Sequence, residues 1–123
     1  ISKHPFWNSS DNSSLSYMAS RCGILNKVIS ERYKDVGAQD EYDRALMDAV
    51  LFSSASSDIY KTRCINYDCI KEKRIIAQER EKKWTLIYEE EVEKNIDIYG
   101  KMINEDINSD FLTCINKVKP ILK

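Results

Sequence analysis

The sequence predicts an all-α fold, a small disulfide-bonded helical bundle of four to five helices. Three observations carry that expectation. Apolar residues recur at three- and four-residue spacing along most of the chain. No segment alternates apolar and polar residues for long enough to form a strand. Only three Gly and two Pro occur in 123 residues, too few for a turn-dense β fold or for glycine-rich phosphate loops.

The elements follow in order. Residues 1–13, ISKHPFWNSSDNS, form a polar tail expected to be mobile. Its apolar knot, Pro5-Phe6-Trp7, is better docked on the body than left in water, since two adjacent exposed aromatics are costly. Residues 14–123 form a single helical domain by their length. The first helix starts at Ser13 or Ser14, either of which can cap it, and carries Leu15, Met18, Cys22, Leu25, Ile29, Tyr33 and Val36 as one apolar stripe. Gly37 ends it. Asp40 caps a second helix, whose apolar set is Tyr42, Ala45, Leu46, Ala49, Val50 and Phe52. The serine cluster at 53–57 favours a break there, because Ser competes for backbone hydrogen bonds in helix interiors.

From Ile59 to Tyr99 neither Gly nor Pro occurs. A single helix over that span would be about 60 Å long and would make the molecule elongated. The run Gln78 to Lys83 supplies no apolar residue where the stripe needs one. Either the chain turns there, which is the favoured reading, or the helix leaves the core and Arg80 snorkels across the gap. Gly100 stops the helix, 101–108 is irregular, and Ser109 or Asp110 caps a last helix that Pro120 ends.

Cys22, Cys64, Cys69 and Cys114 are even in number and widely spaced, which reads as two disulfides. On a continuous helix Cys64 and Cys69 would stand about 8–9 Å apart and point away from one another. That geometry disfavours a 64–69 bridge and leaves 22–64/69–114 and 22–69/64–114 open. The sequons at Asn8 and Asn12 join the paired cysteines in pointing to a secreted, extracellular glycoprotein. The start at Ile1, with no basic and apolar leader, reads as a mature chain whose signal peptide has been removed.

Catalytic chemistry finds little support. His4 is the one histidine, and no nucleophile motif, phosphate loop or metal-ligand spacing is present, so no catalytic, metal or cofactor residue is assigned. The acidic spacing of Asn104 to Asp110 lacks the glycine and closing glutamate of a calcium loop. The net charge of −1 gives no reason to seek nucleic acid or an anionic membrane, and no stretch is long and apolar enough to span a bilayer. The charged helical region is the remaining candidate. Lys71, Lys73, Arg74, Arg80, Lys82 and Lys83 precede the acidic run 89–93, a layout that could steer a charged protein partner. Its bland alternative is a solvated face laced by pairs such as Glu79–Lys83 and Glu90–Lys94. Trp84 is either a core anchor or an interface residue, with the core favoured.

The segment Ser14-Leu-Ser-Tyr-Met-Ala-Ser-Arg-Cys-Gly23, leading into Ile29-Ser-Glu-Arg-Tyr-Lys34, resembles the salivary complement- and contact-pathway inhibitors of anopheline mosquitoes, the family that includes albicin and anophensin. Size, four cysteines and helical pattern are similar along the whole chain. The resemblance implies an all-helical, disulfide-bonded protein secreted into host blood. The lack of catalytic groups predicts no enzymatic activity, and the chain is expected to be a monomer. Albicin-like members block the alternative pathway by binding the C3 convertase built from C3b and factor Bb. Anophensin-like members act on the kallikrein–kinin system by binding factor XII and kininogen. No contact residue is carried over. From another class, a helical small-ligand carrier would use disulfides to close helices around an apolar cavity. Such a cavity would favour the carrier, and a filled core the protein binder.

Overall fold

The computed structural model describes residues 12–122. Most of the tail, with Asn8 and Pro5-Phe6-Trp7, lies outside them, while Asn12 opens the first helix. Four α-helices follow one another: α1 (Asn12–Asp35), α2 (Gln39–Arg63), α3 (Tyr67–Tyr99) and α4 (Glu105–Thr113). A π-helical turn, Cys114–Val118, and a 3-10 turn, Lys119–Leu122, continue α4 to the end of the described chain, so Pro120 lies within the last helical turn and does not end it as expected. The expected all-α, disulfide-bonded bundle is what forms, with no strand among the described residues.

α1 is the central helix. Between Leu15 and Ser30 only Ser20 and Lys27 escape full burial. α2 returns antiparallel along it at close range, because the facing positions are small. A Cβ added at Gly23 would stand 2.6 Å from Ser53 Oγ and 3.3 Å from the Ala49 carbonyl oxygen. Ser56 Oγ donates to the Ser16 carbonyl at 2.8 Å, and Ser16 Oγ donates to the Ser56 carbonyl at 3.1 Å. The serine cluster is therefore no break; α2 runs through it, and its serines are a seam that lets two helix backbones approach. The inward side of α2 is Ala45, Ala49, Phe52 and Ser56, which leaves Leu46, Met47, Val50 and Leu51 outward.

α3 also runs unbroken. Its 33 residues make a rod about 50 Å long, and the turn favoured at 78–83 does not occur. Only its second half joins the core, through Trp84, Tyr88, Val92 and Asn95. At the gap in the stripe the Arg80 guanidinium lies 5.0 Å over the Tyr17 ring, so a long side chain bridges the space where an apolar residue is missing. α2 and α3 each pack on α1 far more than on one another. No residue of 57–83 is buried. That stretch is a helical hairpin arm standing on the edge of the core.

Caps set the remaining boundaries. The N-cap of α2 is Ala38, two residues before the expected Asp40. Gly37 and Gly100 take φ of 75° and 71°, which side chains with a Cβ adopt reluctantly, and so end α1 and α3 where expected. The N-cap of α4 is Asn104, five residues before Ser109 and six before Asp110, the expected caps, with Oδ1 accepting from the Ile107 N–H at 2.9 Å.

Candidate functional site

The cysteine pairing differs from both expected patterns. Cys22 joins Cys114, and Cys64 joins Cys69. The exclusion of 64–69 assumed a continuous helix, and α2 ends at Arg63. Cys64 is its extended C-cap (φ −92°, ψ 133°), and Asn66 is the extended N-cap of α3, its side chain accepting from the Cys69 N–H at 2.9 Å. This non-helical step brings the two Cα atoms to 5.4 Å, within disulfide reach. Cys22 and Cys114 are both fully buried, so that bridge ties α1 to the C-terminal turn inside the core.

Beside it sits a polar cluster that sequence reading did not pick out. Arg21 is fully buried, and so is Asp110, with an Nη2 to Oδ2 distance of 2.9 Å. Arg21 Nε donates to Tyr88 Oη at 2.8 Å, and Tyr88 Oη donates to the same Asp110 oxygen at 2.7 Å, closing a triangle among α1, α3 and α4. The guanidinium stacks 4.0 Å over Trp84. Burial works against the Arg21 charge, but Tyr88 and Asp110 outweigh it and hold its pKa above the ordinary value. Burial raises the Asp110 carboxyl, against the pull of Arg21, and raises the Tyr88 hydroxyl well above its usual range. Every member of this triangle is enclosed, which makes it a fastening among helices. Two residues of the calcium-like spacing at 104–110 serve the fold: Asn104 caps α4, and Asp110 faces Arg21. No group of His, Cys, Asp and Glu among the described residues is placed to hold a metal ion.

The exposed candidates lie on α3. Lys71, Lys73, Arg74, Lys82 and Lys83 are exposed, whereas Arg80 is half-buried against Tyr17. Trp84 leaves the exposed set, being buried against Tyr17 and Tyr88 at centroid distances of 6.5 and 5.6 Å. By helical phase Lys73, Arg74 and Lys83 point in three directions, so the basic segment surrounds the arm and makes no single face. Glu93 pairs with Arg32 at 2.6 Å and Glu81 with Lys27 at 3.8 Å. Among the described residues the expected Glu79–Lys83 and Glu90–Lys94 ion pairs do not form.

Between helices the chain has only short segments, 36–38, 64–66 and 100–104. None is long enough for the extended strand by which a substrate-mimicking inhibitor fills a protease cleft. The main grooves are open to solvent, and their linings are more apolar than polar, with charged side chains among them. One of about 370 Å³ runs between α2 and the C-terminal turn, crossed by the Lys119–Asp48 pair at 3.3 Å. Another, of about 760 Å³, lies against α3 between Lys27, Ile75, Lys82 and Leu86. The centre of the bundle is filled by Leu25, Ile29, Phe52, Tyr88, Val92 and Ile107, all 1% exposed or less. No helix among the described residues is long and apolar enough to cross a membrane.

No protein-family model matches this chain, and neither a curated protein nor a solved structure matches it.

Proposed function

We propose that this chain is a secreted, non-enzymatic inhibitor that binds the assembled C3 convertase of the alternative complement pathway, at the surface made by C3b and factor Bb. The observation that carries the binding role is the division of the molecule into a filled core and an exposed, charged helical arm. A ligand carrier needs an enclosed apolar space, and the grooves here lie open to solvent. A protein binder needs a rigid surface, which two disulfides and the buried Arg21 triangle supply. The resemblance of 14–34 to the anopheline salivary inhibitors directs the proposal to complement.

On this reading the contact surface is the exposed part of 71–93, with Lys82 and Lys83 steering association. The inhibitor obstructs the convertase without entering a protease active site, since no segment between helices among the described residues is long enough to imitate substrate. The test pairs lysis assays with surface-plasmon binding to assembled convertase. The expected result is suppressed alternative-pathway lysis, intact classical and lectin lysis, and unimpaired cleavage of a small peptide by the isolated protease. Binding to factor XII or kininogen with no effect on lysis would move the target to the contact system. Inhibition of small-peptide cleavage would contradict the mode.

A further inference from the structure

The turn between α2 and α3 combines features that the fold itself does not require. Ile65 is 100% exposed and Tyr67 is 66% exposed. Both lie in the short ring closed by Cys64–Cys69. Asn66, between them, fixes the start of α3 through its hydrogen bond from the Cys69 N–H. Around the ring, residues 61–74 carry five cations, Lys61, Arg63, Lys71, Lys73 and Arg74, against the carboxylates Asp68 and Glu72. All seven are exposed. The nearest fully buried residues along the chain are Ser56 and Trp84, so no core holds this turn in shape. The disulfide does.

We infer that the α2–α3 tip is a preorganised docking element, which inserts Ile65, flanked by Tyr67, into an apolar pocket rimmed by carboxylates on a partner protein. This rests on the reading of the chain as a protein-binding inhibitor and names where on the arm the apolar contact lies. A fixed loop conserves affinity against a pocket of fixed shape, because the ordering cost is met before binding. The same rigidity has no value against a fluid bilayer. One isoleucine and one tyrosine, with Asn66 and Asp68 beside them, also offer too little apolar surface for stable membrane anchoring. The surrounding cations select an acidic rim and speed encounter with it. The tip differs from the steering lysines: Lys82 and Lys83 lie more than four helical turns further along α3 and affect approach, whereas Ile65 makes the buried contact.

Surface-plasmon binding is measured on four probes: assembled alternative-pathway convertase, factor XII, kininogen, and phosphatidylserine/phosphatidylcholine vesicles. Wild type is compared with Ile65→Asp and with Val36→Asp. Val36 is 76% exposed at the α1–α2 turn, at the opposite end of α2, so both variants keep the core intact. Losing one buried isoleucine contact corresponds to a fall in affinity of about 30-fold. Such a fall for Ile65→Asp on the convertase, with Val36→Asp unchanged, supports the tip and the target together. The same pattern on factor XII or kininogen alone supports the tip and overturns the target. Convertase binding that Ile65→Asp leaves unchanged, or that Val36→Asp weakens equally, overturns the tip and spares the target. Ile65-dependent binding to vesicles alone, or binding to no probe, overturns both.

Discussion

Cys22–Cys114 joins residues 92 apart inside the core, whereas Cys64–Cys69 spans five residues at an exposed turn. In the chain-entropy account the first bridge stabilises the fold by about 4–5 kcal/mol and the second by about 2 kcal/mol. Their surroundings widen that difference. Next to the first lies the Arg21–Asp110–Tyr88 triangle, so one disulfide and one buried ion pair fasten α1 to the C-terminal segment at adjacent positions. Around the second no residue is buried. One bridge reinforces a core that burial already organises. The other fixes a shape that burial leaves undetermined, and shape matters for recognition more than for folding.

Replacing Cys22 and Cys114 together by Ala should therefore have the largest effect, a loss of about 4–5 kcal/mol in a urea titration. That is a large part of the stability of a domain of this size, so loss of folding at 37 °C is the expected extreme. A loss below about 1 kcal/mol would remove the contrast between the bridges. Next comes Asp110→Ala, which strands the buried Arg21 charge and should cost about 3–5 kcal/mol. A double change, Arg21→Met with Asp110→Leu, should recover much of that loss, since an apolar pair of similar volume removes both charges. Failure to recover it would assign the cost to packing.

The contrast was only partly legible in the sequence. The helix-rich pattern, the stops at Gly37 and Gly100 and most of the inward face of α1 follow from apolar spacing and glycine chemistry, and the structure keeps them, except that Val36 falls beyond α1 and is exposed. What the spacing missed has identifiable physical causes. The stretch Leu15 to Ser30 carries only two charges, Arg21 and Lys27, a sign of burial on all sides that a single-stripe reading passes over. The serines at 53–57 look like a break until Gly23 is placed opposite them. The short non-helical step at 64–66 holds neither Gly nor Pro, yet Asn66 followed by Asp68 is an N-terminal signature of α3, and Asn104 before Glu105 and Asp106 is the same signature for α4. Missing the first of these led to the wrong cysteine pairing. The Arg21–Asp110 contact joins residues 89 apart, and such a pairing has no local sign.

On the exposed side the expected effects are smaller and of a different kind. Replacing Cys64 and Cys69 by Ser should lower stability by about 2 kcal/mol or less, while partner affinity falls about tenfold or more as the tip loses its fixed shape. Equal losses in binding and stability would make this bridge a plain staple. Charge reversal at Lys82 and Lys83 should change stability by less than about 0.5 kcal/mol, slow association with the convertase and steepen its salt dependence. Unchanged association would place the approach surface elsewhere.

Hydrogen exchange on the Cys64→Ser/Cys69→Ser variant, residue by residue against wild type, tests the division of labour most directly. If the arm depends on its bridge and the core does not, protection falls across 57–80 while amides of 15–30 and 88–95 keep most of theirs, because the core opens only with the whole molecule. Equal loss of protection throughout, or no change in the arm, would contradict the account.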